Sequence, residues 1–151
     1  MQGASALQEL LDELQSLSIQ VLVVWEPVLW TDLNPPTSWV LGRTSDMRAV
    51  QFWDEDRLLS EFIVKAAKDD PTLLKPGDTL PSDRIVWDFV AIFPPGARWG
   101  NLPRPAYYGG PVVETIDDVR SVVTETQRLT PVDPIQPPGT GSFHFPLGSR
   151  R

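Results

Sequence analysis

The chain has 151 residues, of which 41% are hydrophobic and 22% are charged, and this is the size and composition of one globular domain with a buried core. Acidic residues outnumber basic ones by 20 to 13, for a net charge of -7, so we expect neither nucleic acid nor an anionic membrane as a main partner. The absence of Cys excludes disulfides, thiol nucleophiles and Cys-ligated metal sites within this chain. No wholly apolar run is longer than that of Val21 to Trp25, which is too short to span a bilayer.

A helix followed by a strand is predicted at the start of the chain. Leucines at helical spacing predict an amphipathic helix over residues 5–17, in which Ser5 and Gln8 would form a capping box. Residues 20–25 are a short apolar, β-branched run, which is typical of a strand buried on both faces. The first residues lack the basic and apolar segments of a signal peptide, so we expect a cytoplasmic protein.

The middle of the chain repeats this order. Two prolines can open a short helix over residues 35–43, because a proline in the first turn lacks only a donor that would be unpaired there. A second strand is predicted over residues 48–53. A helix then begins at the acidic residues 54–56, which suit the positive end of the helix dipole, and it continues to residue 67. A right-handed crossover would make the two strands parallel.

A loop and a hairpin are predicted next. Residues 69–84 contain three prolines and a glycine, so they form a connecting loop. Residues 85–93 are the clearest strand of the sequence. The return strand has two arms, residues 106–108 and 111–114, which a bulge at Gly109 and Gly110 would separate.

The chain divides into a domain, residues 1–129, and a tail, residues 130–151. A helix over residues 117–128 closes the domain. The tail is rich in proline and glycine, so we expect it to be flexible and its deletion to leave the thermal midpoint almost unchanged. A large drop would instead show that Phe143, His144 and Phe145 dock on the domain.

Alternating helices and strands followed by a hairpin predict an α/β fold with a mixed sheet flanked by helices. The residues that agree with helix or strand periods are the predicted core: Leu7, Leu11, Leu14, Val21, Val23, Trp25, Phe52, Leu58, Phe62, Trp87, Phe89, Ile92, Val119 and Val122.

The acidic residues offer two weak catalytic or metal-binding arrangements. Asp54, Glu55 and Asp56 could bind a hard cation, but side chains of consecutive residues diverge at the start of a helix, so we favour a capping role. Asp32 and Asp46 flank the short second helix and could act as an acid and a base. Roles in loops and caps explain both residues more simply.

The remaining candidates are aromatic residues and one histidine. Trp25, Trp53, Trp87 and Trp99 could form a stacking face for a ligand, but large rings beside strands usually belong to a core. His144 has no second ligand residue beside it in the tail. We therefore assign no catalytic, cofactor-binding or metal-binding residue, and we expect no cofactor.

The order of elements over residues 4–128 resembles the thioredoxin superfamily, in particular its longer, reductase-like branch. Residues 21–29 resemble the strand that follows the first helix of that fold, and residues 48–54 resemble its added edge strand. Residues 87–93 and 107–114 resemble its terminal hairpin. The first two of these segments also resemble a bacterial subgroup of such proteins.

The resemblance implies that the fold is incomplete at its N-terminus. The family has a central strand that ends in Cys-x-x-Cys at the start of the first helix, and both would precede Met1. That strand would lie between Val21–Trp25 and Ile85–Phe93, so its loss would leave two unpaired edges. Pro81 is the nearest match to the cis-proline of the family.

Three functions follow from these observations. The first is a thioredoxin-like module without redox chemistry that binds or scaffolds an unknown protein partner, with self-association through the unpaired edges as a further expectation. The second is a truncated thiol–disulfide oxidoreductase, which an in-frame Cys-x-x-Cys strand upstream of the start codon would reveal. The third is a small-ligand binder that uses the tryptophan face. As given, the chain should reduce no disulfide, because it has no thiolate.

Overall fold

The computed structural model describes residues 2–29, 34–73, 85–98 and 103–129. In these ranges the chain has the predicted mixed α/β class, with a short 3-10 helix after the third α-helix. The α-helices are α1 (Gln2–Glu13), α2 (Ser38–Leu41), α3 (Leu58–Asp69) and α4 (Val112–Leu129). The strands are β1 (Val21–Trp25), β2 (Ala49–Trp53), β3 (Val90–Ile92) and β4 (Tyr107–Gly109). No described helix is long and apolar enough to cross a bilayer.

The strands form two separate pairs. β1 and β2 are parallel, with Val21 opposite Ala49 and Trp25 opposite Trp53, as the right-handed crossover predicts. β3 and β4 are antiparallel, with Val90 opposite Gly109. No strand of one pair hydrogen-bonds to a strand of the other in the described ranges. The described strands therefore form two small sheets instead of the single mixed sheet that the sequence predicts.

Arg48 closes the C-terminus of α1. Its guanidinium donates to the carbonyl oxygens of Leu11 and Leu14, each at 2.6 Å, and to that of Leu17 at 3.3 Å. The last carbonyls of a helix have no partner within the helix, and a cation near them is favoured by the helix dipole. The Asp46 carboxylate holds the guanidinium in place at 2.7 Å. Arg48 thus fixes α1 to the start of β2.

The start of α1 is also tied to the segment before β2, and the predicted capping box is wrong. The Ser5 hydroxyl accepts a hydrogen bond from Arg43 at 3.2 Å. The Gln8 side chain accepts the backbone N–H groups of Ser45 and Asp46 at 2.7 and 3.1 Å. Both side chains therefore make tertiary contacts, and α1 begins at Gln2, three residues earlier than predicted.

The hairpin differs from the prediction at both of its arms. β3 covers only the end of the predicted strand 85–93, and α4 begins at Val112, so the predicted arm 111–114 is helical. The predicted bulge is also wrong, because Gly109 pairs directly with Val90. At Gly110 an added Cβ atom would lie 2.5 Å from the carbonyl oxygen of Asp88, so only glycine fits this close approach of the two arms.

A cluster of buried apolar side chains lies between α1, α4 and the hairpin. Leu10, Tyr107 and Val119 are buried together, and these half-buried side chains pack around them: Leu14, Val90, Ile92, Ile116, Val122 and Val123. The two helices run side by side in the same direction, since Glu13 pairs with Arg120 and the Gln127 side chain donates to the carbonyl of Ser18. Most predicted core residues are buried or half-buried, but four are exposed: Phe52, Leu58, Phe62 and Trp87.

Candidate functional site

β1 hydrogen-bonds to β2 along only one of its edges. The N–H of Val21 donates to the carbonyl of Arg48 at 3.0 Å, and the carbonyl of Trp25 accepts the N–H of Asp54 at 2.9 Å. Neighbouring residues of a strand direct their backbone groups to opposite edges. The backbone N–H and C=O groups of Leu22 and Val24 therefore point away from β2. No strand among the described residues pairs with that side. We call it the open edge.

An apolar, partly exposed surface adjoins the open edge. Leu22 lies beside Val50 and Val24 beside Phe52 in the register of the two strands, so all four side chains are on one face of the pair. Leu22, Val50 and Phe52 are 52%, 44% and 49% exposed. Neither strand contains a charged residue. This edge therefore lacks the charges and prolines with which proteins usually prevent strand pairing.

Hydrogen bonds of Ser60 connect the end of β1 to the segment that precedes β3. This residue lies in the first turn of α3 and is fully buried. Its hydroxyl and its N–H both donate to the carboxylate of Glu26, the residue after β1. The same hydroxyl accepts the N–H of Val86 at 2.9 Å. Since Val86 precedes β3 by four residues, β1 ends at the side of the domain from which β3 starts.

Contacts of α1 define the relative directions of β1 and β3. The carbonyl of Leu14 accepts the guanidinium of Arg48, and the carbonyl of Arg48 accepts the first N–H of β1, at Val21. At its start α1 lies against Asp88, since a Cβ atom at Gly3 would be 2.5 Å from the Asp88 carboxylate. Further along α1, Leu10 is buried with Tyr107, which pairs with Ile92 at the end of β3. β1 and β3 therefore run alongside α1 in opposite directions, yet they do not pair with each other.

Glu26 is the titratable group at this junction. Its partial burial raises its pKa above the ordinary value of 4.5, while the hydrogen bonds from Ser60 act in the opposite direction. The nearby Asp54 carboxylate raises the pKa further and Arg57 lowers it. A serine beside a carboxylate can act as a nucleophile and its base. Here the hydroxyl is fully buried, so the pair serves as a structural link.

The acidic candidates of the sequence have structural roles. A carboxylate oxygen of Asp54 accepts the N–H of Leu59 at 2.8 Å, so Asp54 caps the first turn of α3, which begins at Leu58 and not at residues 54–56 as predicted. Hydrogen bonds from the Arg48 side chain and backbone lower the pKa of Asp46 to about 2, so this carboxyl is an ion-pair partner. Asp32 lies outside the described residues. In the described part of the chain no three Asp, Glu or His side chains converge as a metal site.

The tryptophans named in the sequence analysis differ in exposure and contacts. Trp25 donates its indole N–H to Gln51 at 2.9 Å, whereas Trp87 is 55% exposed. Trp39, which the sequence analysis did not single out, is 64% exposed and stacks on the guanidinium of Arg43 at 4.2 Å. Three further positions named above lie outside the described residues: Pro81, Trp99 and His144.

Comparison with known proteins adds no family to this geometry. No family model matches the chain, and neither a curated protein nor a solved structure matches it.

Proposed function

We propose that this chain is a thioredoxin-like domain without redox chemistry that binds other proteins by adding an extended segment to the open edge of β1. The observation that carries the proposal is the unpaired, uncharged edge at Leu22 and Val24. A segment that adds to a sheet edge gains main-chain hydrogen bonds, and neighbouring side chains select its sequence. Leu22, Val50 and Phe52 are exposed beside the edge and would contact such a segment.

The chemistry of the chain supports binding over catalysis. Thiol–disulfide exchange requires a thiolate, and the sequence contains no Cys. The Ser60 hydroxyl, which donates to the Glu26 carboxylate, is fully buried. A binding edge needs only backbone groups and apolar side chains, and both are present at β1.

A proline at position 24 tests the proposal. Val24→Pro removes an N–H that points away from β2, and strands tolerate proline where the missing N–H would face outward. Val24→Thr is the matched control, since it keeps the N–H and the strand propensity. The probe is a library of short random peptides displayed on phage. We expect uncharged, β-branched peptides to bind the wild type and the threonine variant, and the proline variant to bind them at least tenfold more weakly.

Two outcomes would overturn the proposal. One is a library that yields no peptide specific to the domain. The other is a proline variant that keeps its circular dichroism spectrum and binds the selected peptides as tightly as the wild type.

Thiol–disulfide oxidoreduction is a second candidate function, and the position of the N-terminus of α1 favours it. A Cβ atom at Gly3 would lie 2.5 Å from a carboxylate oxygen of Asp88. The N-terminus of α1 therefore lies beside the segment before β3, near the end of β1. A strand placed parallel to β1 at the open edge would end beside this helix terminus. A Cys there would have its thiol pKa lowered by the helix dipole.

Adding a designed strand that ends in Cys-x-x-Cys before α1 separates the two functions. A gain of dithiol-dependent insulin reduction would establish the oxidoreductase. A protein that is more stable but inert would favour the binding module. If the added segment neither stabilises nor activates the protein, the thioredoxin-like assignment is wrong.

A further inference from the structure

The segment before β3 is held at one end of the open edge. β3 runs opposite to β1, and Ser60 links Glu26, after β1, to Val86, before β3. β3 pairs with β4 and with no other described strand. Ser60 therefore places the segment before β3 beside the end of the open edge. We call the open edge together with this segment the strand slot.

One end of the strand slot is acidic. Glu26 follows β1, Asp54 follows β2, and Asp88 precedes β3 by two residues. The Asp88 carboxylate makes no hydrogen bond or ion pair with another described residue. Arg57 is the described cation whose charge acts on Glu26. The carboxylates at this end thus exceed the nearby positive charge.

The other end of the strand slot offers no comparable free charge. Arg48 lies there, but its guanidinium is bound by Asp46 and by the last carbonyls of α1. The strands between the two ends are uncharged. Charge selectivity is therefore confined to the end where β1 finishes.

Resting on the proposed function, we infer that the partner of the strand slot is an extended, uncharged protein segment of about the length of β1, which has 5 residues, flanked at one end by Lys or Arg. The basic residue lies beside Asp88 and Glu26, where it offsets their negative charge. The apolar residues between pair with Leu22 and Val24.

Synthetic peptides that differ only at one end test this inference. The peptides share a core of Val, Ile and Thr and end in paired Lys, paired Gln or paired Glu residues. We expect the Lys peptide to bind about threefold more tightly than the Gln peptide, and the Glu peptide to bind more weakly than both, because exposed ion pairs contribute modestly. The preference for Lys should shrink at high salt, since exposed charges are screened.

An Asp88 variant locates the charge that is responsible. Asp88 has a left-handed backbone angle, with φ of 48°, and Asn tolerates this conformation, so Asp88→Asn retains the local fold. We expect the variant to lose the preference for Lys over Gln while it binds the Gln peptide unchanged. Glu125→Gln, at an exposed position of α4, is the control and should keep the preference.

The outcomes separate this inference from the proposed function. If the Gln peptide binds and Val24→Pro abolishes its binding, but Lys ends give no advantage, the inference is overturned and the proposed function stands. A preference for Lys that survives in Asp88→Asn also overturns the inference. If none of the peptides binds, the proposed function fails as well.

Discussion

Ser60 donates both its hydroxyl and its backbone N–H to the carboxylate of Glu26. Because the hydroxyl also accepts the N–H of Val86, one buried side chain joins the end of β1, the first turn of α3 and the segment before β3. These three segments are far apart in the chain. Ser60 is therefore a main determinant of how the two halves of the fold are placed.

Replacing Ser60 should lower the free energy of unfolding by more than the loss of one small side-chain atom suggests. Ser60→Ala leaves the N–H of Val86 without its acceptor and removes a hydrogen bond from Glu26, so we expect the free energy of unfolding to fall by about 1–3 kcal/mol. Urea unfolding measures this loss. Ser121→Ala is the control, because the Ser121 hydroxyl donates to the carbonyl of Asp117 on an exposed part of α4, and its cost should stay within about 0.5 kcal/mol. Equal costs for the two variants would contradict the role of Ser60.

Glu26 should make stability depend on pH in a defined window. Its folded pKa lies above the ordinary 4.5, so above pH 4.5 the folded state initially holds more protons than the unfolded state. The free energy of unfolding then decreases as the pH rises through the folded pKa. Glu26→Gln cannot ionise, so its stability relative to the wild type should increase over the same window. The pKa of Asp46, at about 2, lies below this pH window, so Asp46 does not contribute to the change. Parallel stability curves for the two proteins in urea would refute this prediction.

Arg48 should contribute more than other surface-accessible cations. Arg48→Ala removes charge-assisted hydrogen bonds to the carbonyl of Leu11 in the last turn of α1 and to those of Leu14 and Leu17 just after it, and we expect a loss of about 2–3 kcal/mol. Arg48→Lys should recover part of it, since an ammonium group reaches fewer of these acceptors. The control is Arg120→Ala, whose partner Glu13 is exposed, with an expected cost of about 0–1 kcal/mol. Chemical unfolding followed by circular dichroism distinguishes the variants.

Two leucines of the predicted core should differ sharply. Leu11 is 1% exposed, so Leu11→Ala should lower the free energy of unfolding by about 2–5 kcal/mol. Leu58, which the sequence also placed in the core, is 63% exposed. Leu58→Ala should therefore change stability by no more than about 0.5 kcal/mol. Thermal unfolding of both variants checks the corrected core, and a large loss for Leu58→Ala would show that this side chain is covered in solution.

The local pattern of the sequence predicts some elements well and fails at others for identifiable reasons. β1 and β2 follow from short apolar, β-branched runs, and both appear within a residue of their predicted bounds. The strand predicted over residues 85–93 is shortened because Asp88 adopts a positive φ, which interrupts an extended strand. Val112 and Val113 read as strand residues, yet they follow Pro111, which suits the start of a helix.

The candidate site depends on relationships between distant residues, which local patterns do not contain. In β2 the half-buried face includes the polar Gln51, whereas the exposed face carries Val50 and Phe52, so the hydrophobic pattern does not identify the exposed face. No feature of the sequence around Glu26 predicts its role at the site. Ser60 has such a feature: it is a polar residue on the buried face of α3, which it shares with Val64 and Ala67. A polar group in such a position requires a buried partner.

The division of the strands into two pairs affects how the domain opens. In the described ranges the pairs exchange no backbone hydrogen bonds, so the cooperativity between them depends on α1 and on the side chains of Arg48 and Ser60. Proteins with such internal boundaries open in separate units, each with its own opening free energy. Amide hydrogens of β1 and β2 should therefore exchange with solvent at lower opening free energy than those of α4. Occupation of the strand slot would couple both units into a single exchange-protected body.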